Sequence, residues 1–304
     1  MQPLLQAAQM LRENSITHLA EEPMARHTTF RIGGPAAIFC MPTVVGQLVE
    51  AIKIAQECDI PHIVLGKGSN VLFCDKGYRG MVVHLGQGFD AVAVKGNAIT
   101  AGAGAELTKV CDTSETARLA GLEFAYGIPG SVGGAVYMNA GAFGGEVRGV
   151  LQSVQCLCED LAVRTLPVET LELGYRESVF HTNPWVVLEA TFLLQAGQPE
   201  EIHRKMRQHL AHRKEKQPLE YPSAGSAFKR PAGAFAGALI EQCGLRGHRV
   251  GGAAISEKHC GFIVNLGGAT CSDVLRLADE VAETVLRQTG FVLEKEIRVV
   301  GHGR

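Results

Sequence analysis

The stretch GIPGSVGGAVYMNAGAFGGEV, residues 127–147, limits what this chain can fold into more than any other segment. It is dense in glycine yet too apolar and too varied for a flexible linker. Backbone without side chains must there lie close to something flat, because glycine lets main-chain N–H and C=O groups meet a neighbour directly. That neighbour is either a ligand or the chain itself; the residues favour a cofactor loop, and both readings stand at this point. The whole sequence carries 36 glycines, where average usage near 7% would give about 21. The excess is concentrated in particular loops.

A second such loop is GKGSN, residues 66–70, which follows a short apolar run at Ile63–Leu65. Gly66 and Gly68 allow a turn tight enough for successive amides to converge on an anion, and Ser69 and Asn70 add side-chain donors. A diphosphate is held in this way, but a plain glycine turn between strands reads equally well. The spacing is not that of a Walker A loop, and no G-x-G-x-x-G follows a strand, so a dedicated Rossmann domain is not expected.

At 304 residues the chain exceeds the size at which a single core keeps growing, so two or three domains are expected. Positive and negative residues nearly cancel, 29 against 31, which speaks against nucleic acid or a membrane surface as partner. No apolar run is long enough to span a bilayer, and MQPLLQAAQMLREN reads as an amphipathic helix rather than an export signal, so a cytoplasmic protein is expected. The nine cysteines are scattered without a C-x-x-C pair and read as buried thiols; Cys156 and Cys158 would share one strand face. No metal site is expected.

Periodicity predicts strands at 37–39 and 63–65 around a helix bearing Leu48, Ile52 and Ala55, a βαβ-like unit. Further strands are predicted at 82–85, 91–94 and 98–101, a helix with Leu107, Val110, Cys111 and Ser114 on one face, then strands at 150–157, 162–166 and 186–194. A charged helix at 200–216, its histidines and arginines mostly solvated, leads to a last region. That region has a helix at 234–243, strands near Ala253 and Phe262, and a helix at 272–288 with Val274, Leu277, Ala278, Val281 and Val285 buried. Thr270 and Asp273 would form its capping box. A closing strand is predicted over 292–300, with Glu294 and Glu296 on one face and Leu293, Lys295 and Ile297 on the other. The pattern is α+β.

Three polar groups stand out. Arg176, after Tyr175 in LGYRES, suits bidentate pairing with a carboxylate. Ser226 lies in PSAGSAFKRP with Lys229 close behind, and Glu296 lies in LEKEIRVVG. Taken singly, each is more often a surface group or a cap.

Together, HTTFRIGGPA (27–36), GKGSN (66–70), the 127–143 loop, GYRES (174–178), PSAGSAFKRP (222–231), GGAAISEKHCGFIVN (251–265) and LEKEIRVVG (293–301) closely resemble the UDP-N-acetylenolpyruvoylglucosamine reductase (UDP-N-acetylmuramate dehydrogenase) family. The resemblance implies a two-lobed FAD-binding region of the vanillyl-alcohol-oxidase (PCMH) type, residues 1–87 joined by 291–304 and residues 88–197. A substrate domain, 198–290, would follow. It implies non-covalent FAD held by Gly66, Lys67, Gly68, Ser69, Asn70, Gly127, Pro129, Gly130, Ser131, Gly133, Gly134, Asn139 and Gly141. NADPH would be the co-substrate and the enolpyruvyl ether of a UDP-sugar the substrate, with Tyr175, Lys216 and Lys229 as substrate ligands.

By the same resemblance Arg176, Ser226 and Glu296 are catalytic. Arg176 would neutralise the enolpyruvyl carboxylate, Glu296 would support the enolate-like intermediate or position its proton, and Ser226 would deliver that proton. Only about 50 residues separate Arg176 from Ser226, which leaves little room for an extra lid and resembles the shorter, lidless type II branch. A monomer is expected. The alternatives are an FAD-linked alcohol or sugar oxidase of the same flavin fold, which would lack the Ser226 and Glu296 segments, and a flavin-free sugar-nucleotide binding protein.

Overall fold

The computed structural model describes residues 2–301; Met1 and residues 302–304, which end the expected lobe 291–304, lie outside the described residues. The chain divides into two compact units, one of residues up to Leu19, Phe39–Lys67 and Val82–His212, the other of Ala20–Ile38, Gly68–Met81 and the chain from Arg213 onward.

The first unit is built on a five-stranded antiparallel sheet in the order Val163–Pro167, Leu151–Leu157, Val186–Leu193, Ala98–Gly102, Val92–Lys95. Helix Leu107–Thr116 buries Leu107, Val110, Cys111 and Ser114, the face its spacing predicts. Helix Val132–Tyr137, which lies inside the glycine-dense stretch, packs on strand Val186–Leu193. Cys156 and Cys158 do share a face, their sulfurs 3.8 Å apart, and burial pushes the Cys156 thiol up to about 12. Helix Pro199–Lys216 begins in this unit; its histidines and arginines are mostly exposed, as expected, with Arg213, only 5% exposed, the exception.

A four-stranded sheet has the order His18–Pro23, Pro35–Cys40, Tyr78–His84, His62–Leu65. Strands Pro35–Cys40 and His62–Leu65, with helix Val45–Glu57 between them in sequence, are therefore not neighbours: Tyr78–His84 lies between, so the βαβ-like expectation is met in element order and not in adjacency.

The second unit carries an antiparallel sheet ordered Ser223–Ser226, Phe262–Asn265, Ala253–Ile255, Arg249–Val250, with helices Ala236–Gln242 and Cys271–Thr289 in the same core. Val274, Leu277, Ala278, Val281 and Val285 recur at helical spacing and are all buried. Thr270 accepts from the Asp273 N–H while Asp273 accepts from the Thr270 N–H, the capping box the sequence predicts. Asp75 adds a second cap, accepting from the N–H groups of Cys271 (2.6 Å) and Ser272 (3.0 Å). Gly290, at φ 77, ends the helix in the left-handed conformation.

The predicted closing strand is shorter than expected: only Arg298–Val300 is a strand, paired in parallel with Val71–Phe73. Over 293–297 the backbone makes single contacts instead of a ladder. Lys229 N–H donates to Glu294 O (2.8 Å), Glu296 N–H donates to Ala227 O (2.9 Å), and the Asn70 side chain takes the Glu296 carbonyl (3.2 Å). Glu296 is therefore not a strand residue.

One buried amide joins three segments of this unit. Asn265 Nδ2 donates to Phe30 O (3.1 Å), and its Oδ1 accepts from the N–H groups of Gly267 (2.9 Å) and Ala269 (3.2 Å). Leaving buried groups of this kind unpaired costs about 1–3 kcal/mol each. Asn265→Ala should therefore destabilise the protein by about 2 kcal/mol or more, read as a lower urea midpoint of the unfolding step of this unit; an unchanged midpoint would show that water replaces the amide without loss.

Candidate active site

The GKGSN loop leaves strand His62–Leu65 and enters Val71–Phe73. Gly68 sits at φ +61, and a Cβ there would come within 2.1 Å of the His27 carbonyl oxygen, so no other residue fits without a backbone shift. The N–H groups of Gly66, Lys67, Gly68 and Ser69 have no acceptor among the described residues, while the carbonyls of Gly68 and Asn70 take the N–H groups of Thr29 and Arg298. Four successive amides left for an outside acceptor suit a diphosphate. Lys67 is paired with Glu106, a partner for which the sequence carries no signal.

Gly66 lies against the second glycine loop: a Cβ on it would meet Ser131 Oγ at 2.1 Å. Ser131, buried, caps helix Val132–Tyr137 by accepting from Gly134 N–H at 3.4 Å, and the N–H groups of Gly130 and Ser131 also have no acceptor among the described residues. The glycines of this loop divide into two kinds. A methyl at Gly133 would meet Ala103 Cβ at 3.0 Å and its carbonyl oxygen at 3.2 Å; one at Gly145 would meet the Phe124 ring at 2.6 Å; one at Gly141 would meet Gly145 O at 2.8 Å. These three serve packing of the chain on itself. Gly134 is exposed, its nearest neighbour Ser131 Oγ at 3.5 Å. Gly127 takes φ 79, next to Ile128 and Pro129. Asn139, at φ 39, spends both ends of its amide inside the protein, donating to Gly174 O (2.9 Å) and accepting from Arg148 N–H (2.9 Å). Within the first unit the residues present thus fit a flavin dinucleotide chiefly through the amides of Gly66, Lys67, Gly130 and Ser131.

Arg176 projects from a turn closed between Gly174 and Glu177, at φ 59, with its guanidinium 5.0 Å from the ring centroid of Tyr175 and Nη2 donating to Gly141 O (3.2 Å). All of these residues belong to the first unit.

Ser226 and Glu296 belong to the second unit, and their backbones are neighbours there: the Glu296 N–H bond goes to Ala227 O, the residue after Ser226. Strand Ser223–Ser226 is bulged, since Ser223 opposes Val264 and Ser226 opposes Phe262, three residues of advance against two. Gly225 takes φ +76 at the bulge, which turns Ser226 relative to a regular strand. Asn70 completes the group through Glu296 O. Lys229 Nζ pairs with Glu294 (2.7 Å) and Lys216 Nζ with Glu215 (2.7 Å). Gly225, Arg148 and Ser178, which donates to Tyr137 O (2.7 Å), are missed by sequence reasoning because their roles rest on partners distant in sequence or on a bulge.

Comparison with known proteins gives this arrangement its class. Residues 36–163 match the FAD binding domain family, and residues 217–300 match the family described as UDP-N-acetylenolpyruvoylglucosamine reductase, C-terminal domain. The fold is that of an FAD-binding oxidoreductase with a PCMH-type flavin region and a C-terminal α+β domain. Proteins named UDP-N-acetylenolpyruvoylglucosamine reductase are similar over nearly their full length. That of Agathobacter rectalis is 49% identical, covering 93% of this chain and 94% of the relative, and that of Lachnoclostridium phytofermentans is 46% identical, covering 92% of each. The crystal structure of the Thermus caldophilus reductase (MurB) superposes with a TM-score of 0.80 at 37% identity, over 94% of this chain and 98% of that one. The chain belongs to the UDP-N-acetylenolpyruvoylglucosamine reductase family.

The two kinds of glycine are separable by experiment. Gly133→Ala and Gly134→Ala share any gain in helix propensity, so their difference isolates the contact with Ala103. With flavin stripped from both, Gly133→Ala should unfold at a lower temperature than Gly134→Ala; equal midpoints would remove self-packing as the reason for glycine at 133.

Proposed function

We propose that this protein reduces the enolpyruvyl ether of UDP-N-acetylglucosamine to UDP-N-acetylmuramate, a step of peptidoglycan precursor synthesis, with NADPH as the source of hydride. Family membership across both sequence regions supports the substrate. The observation that carries the reading is the grouping of Ser226, Glu296 and Asn70 in one unit, with the C-terminal family match spanning both the Ser226 and the Glu296 segments. An oxidase of the same flavin fold would have no use for those segments.

Bound FAD, held in the first unit by the backbone N–H groups of Gly66, Lys67, Gly130 and Ser131, would supply the two-electron redox chemistry. What the chain itself must do follows from the substrate. Hydride added to the terminal carbon of the enolpyruvyl group builds negative charge on the adjacent carbon and the carboxylate. Arg176 binds that carboxylate with a planar fork that a lysine lacks. Glu296 supports the enolate-like intermediate or positions the proton, and the Ser226 hydroxyl gives a proton to the carbon. A carbanion-like centre is basic enough for a hydroxyl to act as acid, whereas a guanidinium holds its proton far too tightly. Tyr175, Lys216 and Lys229 are assigned to the UDP-sugar.

We further assign residues 1–87 with the C-terminal strand to one flavin lobe, 88–197 to the second and 198–290 to the substrate. The parallel pairing of Arg298–Val300 with Val71–Phe73 supports joining the C-terminal strand to the first lobe. The protein is taken to work as a monomer in the cytoplasm. Its nine cysteines are free thiols, which suits a reducing compartment, and among the described residues no helix is long and apolar enough to cross a membrane.

Separating the half-reactions tests the proton donor. Ser226→Ala should leave reduction of the flavin by NADPH near the native rate and slow reoxidation by the enolpyruvyl sugar by about 10²- to 10⁴-fold, and Ser226→Cys should recover part of that. Slowed reduction with native reoxidation would move Ser226 to the NADPH step and leave Glu296 or water as the donor.

A further inference from the structure

Arg176 stands at φ 59, a left-handed conformation that a non-glycine residue adopts only at a cost, and such conformations persist where the surroundings over-determine them. The surroundings here are specific. The two carbonyls just before Tyr175 and Arg176 are each gripped by a side chain: Leu173 O by Arg148 Nη1 (3.1 Å) and Gly174 O by Asn139 Nδ2 (2.9 Å). The two gripping residues are themselves joined, Asn139 Oδ1 accepting from Arg148 N–H at 2.9 Å. On the far side of the turn Ser178 Oγ donates to Tyr137 O (2.7 Å). Asn139 is 1% exposed and is itself left-handed, at φ 39. An amide is required at this place, since it must donate to a carbonyl and accept from an N–H at once; a carboxylate, an alkyl group or a hydroxyl of shorter reach cannot do both.

We propose that Asn139, together with Arg148, is a positioning residue that sets the direction of Arg176, so that its guanidinium meets the substrate carboxylate edge-on. The inference rests on the carboxylate-binding role proposed for Arg176. It gives Asn139 a task other than contact with the flavin, and it makes the segment after helix Val132–Tyr137 serve substrate recognition as well as cofactor binding. Bidentate pairing depends on angle as well as distance, so a small rotation of the 174–177 turn weakens it while leaving the charge in place.

The test uses the FAD-loaded protein. Asn139→Gly removes the amide while tolerating the left-handed backbone, and Arg148→Met, on an exposed residue, loosens only the Leu173 carbonyl. Both should retain FAD and be reduced by NADPH as the native protein is. Calorimetric titration of the oxidised protein with the enolpyruvyl UDP-sugar should show weaker binding, and stopped-flow reoxidation should be slower, by about 10- to 100-fold for Asn139→Gly and by a smaller factor for Arg148→Met. In an Arg176→Met background neither change should cause further loss, because the group they orient is gone. If Asn139→Gly fails to fold, the Arg148→Met and Arg176→Met pair carries the same comparison. Losses that add in full, or that fall on FAD retention, overturn the positioning role and leave the role of Arg176 intact. An Arg176→Met protein that binds and turns over the sugar normally overturns the carboxylate reading, and the positioning role with it.

Discussion

The placement of the segment that carries Glu296 depends on the hydrogen bonds of one residue, Asn70. Its carbonyl accepts from Arg298 N–H (3.0 Å) and its side-chain amide donates to Glu296 O (3.2 Å), so the end of the GKGSN loop fixes the segment that carries Glu296. That segment has no ladder of its own before Arg298. It is held by Asn70 on one part of its backbone and by Ala227 and Lys229 on another, one and three residues after Ser226. A residue first noticed as a donor in a phosphate-type loop thus also holds the backbone of Glu296 beside the segment that follows Ser226.

The glycine-dense stretch shows how one composition answers two demands. At Gly133, Gly141 and Gly145 the space a side chain would need is filled by Ala103, by the facing hairpin strand and by Phe124. At Gly134 the nearest atom to an added methyl is Ser131 Oγ at 3.5 Å, and the N–H groups of Gly130 and Ser131 have no acceptor among the described residues. Either reading of the stretch taken alone would be half right. What marks a cofactor loop is the set of amides that lack an acceptor among the described residues, a property no count of glycines reports.

Helix Cys271–Thr289 was legible to within a residue at each end, because its buried stripe, its capping box and Gly290 all act within a few residues of one another. The strands of the five-stranded sheet were legible for the same reason, their alternation or apolar runs being local. Helix Val132–Tyr137 was hidden: it is six residues long, holds two adjacent glycines, and depends on the Ser131 cap and the contact at Ala103 rather than on propensity. The irregular path of 293–297 was hidden because its partners, Ala227, Lys229 and Asn70, are far away in sequence. Among the site residues, Arg176, Ser226 and Glu296 stand out in the sequence as polar groups, but their catalytic roles come only through family resemblance. Their setting was not: the bulge at Gly225 and the grip of Asn139 and Arg148 on the turn of Arg176 follow from contacts that periodicity does not encode.

The central claim is that electrons leave this protein by way of an enolpyruvyl sugar rather than oxygen. The most direct measurement is to reduce the native flavoprotein with NADPH in the absence of air, then mix it in separate stopped-flow runs with the enolpyruvyl UDP-sugar and with air-saturated buffer. The account predicts rapid return of the oxidised flavin spectrum with the sugar, together with formation of UDP-N-acetylmuramate, and a much slower return with oxygen. Rapid reoxidation by oxygen, with the sugar leaving the reduced spectrum unchanged, would contradict it and point to an oxidase on the same fold.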